Sequence, residues 1–460
     1  MMRINSVKKS TKVIILSVLG FILTGVFLYP YGTFWDSARA FTYILTEGHA
    51  NVDNWLGWYF PLLWEGLYRI TGIQNILGTW IILLYWISVT ILYLNLFDAE
   101  KRSLWWYAAF AWFPGSLMFV LNITNNALMM VMLMLGLAFL SVFANKRKLW
   151  WIVLSIITLI QCSFIRRESF VIVLPLVFII LLAVFLANRK KLTAFMYASI
   201  TSIAIFIGLF GTEKAITSRI TNYDYMDALS ITCLHDMTAV TYQTERMCIP
   251  THLLKTEYSD SKDCFEHLLK IENGQDSIWN GDVMIHRIKP FLDIEDRYML
   301  RLPKQDVISF YSHNLIPWLK FRARYALNYF WYRQQMCYTT IQDNEMILYS
   351  PPTPTITQRV VSYAVPIVFG SVQIFYYLSL FVLLFDWKKR IKYKSRGERI
   401  VILSLVGVSF IETVLVMFTS IAIQYRYLYP VCVIQYLVFI YVLSRLKYKE
   451  IAQKMSLIEE

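Results

Sequence analysis

The run FVIVLPLVFIILLAVFLANRKKL, Phe170 to Leu192, decides the class of the fold. From Phe170 to Ala187 it carries no charge, and it ends on Arg189, Lys190 and Lys191. A bilayer core of ~30 Å takes roughly 20 residues of helix at a rise of ~1.5 Å each. In hydrocarbon the backbone must satisfy its own polar groups, so such a run is a helix. VIILSVLGFILTGVFLY, starting at Val13, and VILSLVGVSFIETVLVMF, starting at Val401, read the same way.

Working outward, ten spans are expected, over about 13–30, 76–97, 103–121, 126–145, 149–165, 169–187, 192–211, 360–385, 399–422 and 427–445. The bulk numbers agree. The chain has 460 residues, of which 57% are hydrophobic and 16% charged. Its mean hydropathy of +0.48 lies outside the soluble class. The net charge of +13 does not point to nucleic acid, because Lys and Arg cluster at span ends, where they set orientation. The basic N-terminus, the apolar run and "ARA" at Ala38 to Ala40 mimic a cleaved signal. Tyr, Trp and Asp intervene before that site, so a retained signal-anchor is expected.

Orientation follows from the loops. RINSVKKSTK, DAEKRS, NKRKL, NRKKL, DWKKRIKYKSRGER and SRLKYKEIAQK fall on one side, the cytoplasmic one by the positive-inside rule. The opposite side holds residues 31–75, NITNN, RRES, a long segment near 212–358 and IQYRYLY. RRES is unusual there, because the rule disfavours Arg166 and Arg167 in a short external loop.

The expected fold is therefore an all-α polytopic membrane protein with about ten transmembrane helices and one extracytoplasmic, mostly helical domain. Residues 1–211 form a seven-span module with a first external loop over 31–75. Residues 212–358 form the extracytoplasmic domain. Residues 359–460 hold three further spans and a cytoplasmic tail. The external segment carries five of the six histidines and four of the six cysteines. SDSKDCFEHLLKIE and NLIPWLKFRARYALNYFWYR have helical periodicity, and the second is aromatic and basic enough to lie along a membrane surface. Cys233, Cys248, Cys264 and Cys337 leave two readings open: two disulfides with three pairings, or free buried thiols.

In the first external loop a helix over Phe34–Glu47 would place Asp36, Arg39, Tyr43 and Glu47 on one stripe. Phe34, Ala38, Phe41 and Leu45 would face lipid, with Trp55, Trp58, Tyr59 and Trp64 in the headgroup layer. Asp36 sits just past the first span, where a carboxylate can act as general base on a hydroxyl. Arg39, Glu47 and Glu65 read more simply as solvated or paired charges. Arg166 and Arg167 in FIRRESF, and Arg426 in IAIQYRYLYP, match phosphate oxygens with planar forks. The other reading has them snorkel and pair with Glu168 or lipid headgroups. Glu412, inside the ninth span, is either functional or a hydrogen-bonding tie within the bundle.

At these residues the chain resembles the GT-C class of membrane glycosyltransferases, which use polyprenyl-phosphate sugar donors. FWDSARAF after the first span, YFPLLWEGLYRITG before the second, a seven-span block followed by a variable part, and the late QYRYLYP carry the likeness. The placement of 212–358 is similar to that in bacterial O-antigen-modifying glucosyltransferases and uncharacterised relatives. The resemblance implies a catalytic Asp, which falls on Asp36, and basic residues on the lipid phosphate, which fall on Arg166, Arg167 and Arg426. Arg39, Tyr43, His49, Asp53, Glu168, Tyr425 and Glu412 are candidate acceptor-side or supporting groups.

NITNN lacks the second acidic residue that many members carry in that loop. That favours a single-base, inverting mechanism with no cofactor, and leaves a divalent metal as the other reading. The implied partners are a polyprenyl-phosphate-linked sugar, a glycan or lipid-linked oligosaccharide acceptor, and the lipids of a bacterial inner membrane; no nucleic acid is expected. An O-antigen or capsule polymerase shares the donor. A transporter or lipid flippase would need a polar path through the midplane, for which Glu412 is the one strong residue, and the sequence has no internal repeat.

Overall fold

The computed structural model describes residues 9–27, 32–33, 41, 43–50, 52–53, 57–97, 104–112, 120, 122–166, 169–186, 190–220, 223–224, 228–255, 291–293, 301–331, 372–388, 391, 393, 396–419 and 429–446. The apolar runs are helices: α1 Lys9–Phe27, α2 Tyr59–Thr71, α3 Ile76–Leu96, α4 Leu104–Ala111, α5 Asn125–Lys146, α6 Trp150–Ile165, α7 Phe170–Leu186 and α8 Lys191–Thr217. The polar segment adds α9 Ala228–Thr244, α10 Lys304–His313 and α11 Leu315–Trp331, and the chain returns through α12 Val372–Trp387, α13 Arg396–Thr419 and α14 Tyr429–Arg445. Among the described residues three helices, α3, α5 and α8, are long and apolar enough to cross a membrane.

Helix α2 lies inside what the sequence reads as a loop. Pro61 sits in its first turn, where a missing N–H costs nothing. Phe60 and Trp64 are fully buried along one side of it. Trp64 is therefore a core anchor and not a headgroup residue. Its ring stacks on Phe41 at 4.6 Å, and its indole N–H donates to the Gln74 carbonyl at 2.8 Å. Residues 41 and 43–46 are helical, as expected. Phe41, however, is covered by protein and not by lipid.

Close helix packing follows from small residues. Gly20 of α1 receives the indole of Trp86, whose N–H donates to Thr24 Oγ1 at 3.1 Å. Gly136 of α5 lies under Leu159, and Ser155 Oγ of α6 donates to the Gly136 carbonyl at 2.7 Å. Lipid tails are as apolar as leucine, so fit and hydrogen bonds hold such pairs together.

The helix ends sort into two groups. At one end Asn145 Nδ2 donates to the Asn95 carbonyl at 2.8 Å, and Arg399 forks onto Asp386 through bonds of 2.9 and 2.7 Å. There too Arg445 Nη2 donates at 2.5 Å to Leu96 O, a carbonyl at the helix end with no intrahelical partner. At the other end Gly32–Thr33 (β1) pairs in parallel with Asn122–Ile123 (β3), and Val52–Asp53 (β2) with Tyr223–Asp224 (β4). Trp318 of α11 meets Phe418, at the end of α13, with ring centroids 6.4 Å apart.

A helix over 314–333 is expected, and α11 is present; SDSKDCFEHLLKIE lies outside the described residues. Two cores meet at α11. Ile231, Leu234, Met237 and Val240 of α9 pack with Phe310 in a small core, whereas Phe321 and Tyr325 of α11 belong to the core of the bundle. The polar segment is thus joined to the bundle by a shared helix. Cys233 and Cys248 are free thiols, in line with the second of the two readings, and Cys264 and Cys337 lie outside the described residues.

Candidate functional site

The short segment NITNN is a junction. Asn122 and Ile123 extend alongside Gly32 and Thr33. Thr124 then caps α5: its backbone is extended, and its Oγ1 accepts from the Ala127 N–H at 3.0 Å. Asn125 and Asn126 enter the helix buried. Asn126 Oδ1 accepts a hydrogen bond from Arg166 Nη1.

Arg166 terminates α6. Its backbone is extended at φ −144° and ψ 127°, and its N–H closes on Cys162 O at 3.0 Å. Ser169 ties the next helix to it, donating Oγ to the Arg166 carbonyl at 2.6 Å. The Arg166 side chain is buried, with 9% of its surface exposed. A guanidinium held by an amide oxygen is fixed in direction at this junction.

The first loop closes over the same end. Gly57 has φ +71°, and a Cβ placed there would come within 2.7 Å of the carbonyl oxygens of Phe164 and Ile165. Trp58 packs on Phe164 at 5.0 Å. Gly57→Ala combines left-handed strain with that clash, so it is expected to cost about 1–3 kcal/mol and to lift the loop off the end of α6. A lowered thermal midpoint in detergent checks this. An unchanged midpoint would mean that the loop does not rest on α6.

Glu65 accepts from the Ala50 N–H at 2.9 Å and from Arg69 Nε at 2.7 Å, and Arg69 Nη2 donates to Gly48 O at 2.7 Å. That clamp shapes the 48–50 turn, in line with the simpler reading of Glu65. His49 and Tyr43 are half-buried on this turn and the short helix before it. Asp53 lies in β2, in register with Asp224. Glu412 is buried in α13. Asp36, Arg39, Arg167, Glu168, Tyr425 and Arg426 lie outside the described residues. Among the described residues no three His, Cys, Asp or Glu side chains converge as metal ligands would.

One polar centre has no counterpart in the sequence reading. Asp236 of α9 is 1% exposed, and its Oδ1 forms an ion pair with Arg322 Nη2 at 2.7 Å, with Arg322 fully buried. Its Oδ2 accepts from Tyr311 OH at 3.0 Å and from Trp318 Nε1 at 2.9 Å. Burial pushes the Asp236 carboxyl above its ordinary range, and the Arg322 charge and the hydrogen bonds pull it back. Burial and the Asp236 charge push the neighbouring Cys233 thiol up to about 12. The partners lie on three helices, so no spacing in the sequence announces them.

No protein-family model, curated protein or solved structure matches the chain.

Proposed function

We propose that this chain is a membrane glycosyltransferase of GT-C type, with about ten spans, both termini cytoplasmic and residues 212–358 outside a bacterial inner membrane. A polyprenyl-phosphate sugar enters from the outer leaflet. Asp36 takes the proton of an acceptor hydroxyl on a cell-surface glycan or lipid-linked oligosaccharide. The freed oxygen attacks the anomeric carbon as the bond to the lipid phosphate breaks. One displacement inverts that carbon. Arg166, with Arg167 and Arg426, neutralises the departing phosphate.

The observation that carries this reading is the junction at β1 and β3. Thr33, three residues before Asp36, pairs with Ile123. Asn126, three residues beyond Ile123, holds Arg166. The junction thus links Thr33, in the segment that leads to Asp36, with the end of α6 that carries Arg166, and this supports the reading. The sorting of helix ends into two groups supports the assignment of sides.

The test is transfer in vesicles that contain the full chain, given labelled polyprenyl-phosphate sugars. Release of polyprenyl phosphate with an inverted product is expected, along with loss of side-branch sugars from cells lacking the protein. Loss of chain length instead would favour the polymerase reading. No protein-dependent transfer from any such donor, and an unchanged surface glycan, would overturn sugar transfer.

A further inference from the structure

Helix α11 has two faces of different chemistry. Phe321, Arg322 and Tyr325 are buried against α9 and the bundle. On the opposite side Leu315, Ile316, Leu319 and Leu327 remain 49%, 66%, 43% and 60% exposed. At ~100° per residue these four share an arc of ~120°. Lys320 and Arg324, both exposed, border that arc along one edge. Ile308 of the preceding helix adds a further apolar side chain, 68% exposed.

A contiguous apolar stripe edged by cations marks an interaction surface. We propose that this face of α11 seats in the outer leaflet of an anionic bilayer, the leucines at the headgroup–acyl boundary and Lys320 and Arg324 on lipid phosphates. Two observations select lipid as the occupant. The first is charge: both border residues are cations, and an apolar stripe edged by cations is the pattern of interfacial helices. The second is continuity. Helix α11 packs on α12 and α13, which expose Tyr377, Leu380, Ile411 and Val414. The stripe therefore extends an apolar surface that faces lipid in a membrane-spanning bundle. A protein partner or a second copy would need roughly 20–30 residues a side, far more than one stripe of this helix offers.

The consequence is mechanical. At the other edge of the stripe Arg322 is buried, and its ion pair with Asp236 joins α11 to α9. Lipid contact on α11 would hold the polar segment over the outer end of the bundle. The inference rests on the membrane reading and is independent of sugar transfer.

The test uses the full chain in nanodiscs of phosphatidylcholine with or without phosphatidylglycerol. A benzophenone amino acid is placed at Leu319 or Leu327, with Ile203 of α8, 56% exposed, as the control. After illumination, adducts are read by intact mass. Phosphatidylglycerol adducts are expected at all three positions. The double variant Lys320→Glu, Arg324→Glu is expected to cut the yield at Leu327 about 30-fold, as two lost cations imply, with Ile203 unchanged.

Lipid adducts at Ile203 alone, or cross-links from Leu319 and Leu327 to a second chain, would overturn the proposal and leave the membrane reading standing. Failure at all three positions would overturn both. Equal yields with and without phosphatidylglycerol, insensitive to charge reversal, would overturn the anionic-lipid assignment.

Discussion

Asp236→Leu is expected to destabilise the protein by about 3–5 kcal/mol, because it strands a buried guanidinium. Arg322 is fully buried and cannot lose its proton. The reciprocal variant, Arg322→Met, should cost less. It leaves a carboxyl that burial already pushes upward, and with the cation gone that group takes up a proton and stays neutral. Joining both changes should recover much of the loss, since a matched apolar pair replaces a matched ionic one.

The pH dependence separates the two single variants. An acid whose folded value lies above its unfolded one binds more protons folded than unfolded. Its contribution is full below about pH 4, the unfolded value, and is lost as pH rises toward the folded value. Arg322→Met should therefore lose stability as pH is raised from acid toward neutral, and Asp236→Leu should lack that component. Thermal midpoints of the full chain in nanodiscs across that range measure both. A single variant as stable as the parent at neutral pH would mean that the pair is not buried in the folded chain.

Asp36→Asn should lower transfer by about 100- to 10,000-fold, the contribution of a positioned general base. The amide preserves size and hydrogen bonding but cannot accept the acceptor's proton at neutral pH. Protein levels in the membrane should not change, because a near-isosteric single substitution of this kind rarely decides insertion. Turnover with a polyprenyl-phosphate sugar is the measurement, with donor binding scored separately. Binding should persist, because the arginines that would hold the phosphate are untouched. Full turnover from normally inserted Asp36→Asn would remove Asp36 from the chemistry. Lost donor binding with it would point to a role in shaping the loop.

Much of the helical frame is legible in the sequence. Phe170–Ala187 becomes α7, and LIPWLKFRARYALNYFW becomes α11 within a few residues. Helix α2 was missed for two reasons. Its aromatic residues resemble a headgroup belt, and Pro61 resembles a breaker unless its place in the first turn is known. The burial of Phe41 and Trp64 was missed for a deeper reason. Lipid and protein interior are equally apolar, so hydropathy cannot tell a side chain that meets one from a side chain that meets the other.

The candidate site divides in the same way. The sequence alone named a carboxylate after the first span and two adjacent arginines after the fifth, because charges beside apolar runs are conspicuous there. Only the folded chain decided that Thr33 runs beside Ile123, that Asn126 holds Arg166, and that Asp236 meets Arg322. Hydrophobic periodicity fixes which residues leave water, and that is written residue by residue. Which polar groups then meet depends on how helices far apart in the chain are stacked. That is settled by the shapes of Gly20 against Trp86 and of Gly136 against Leu159, and no local pattern encodes it.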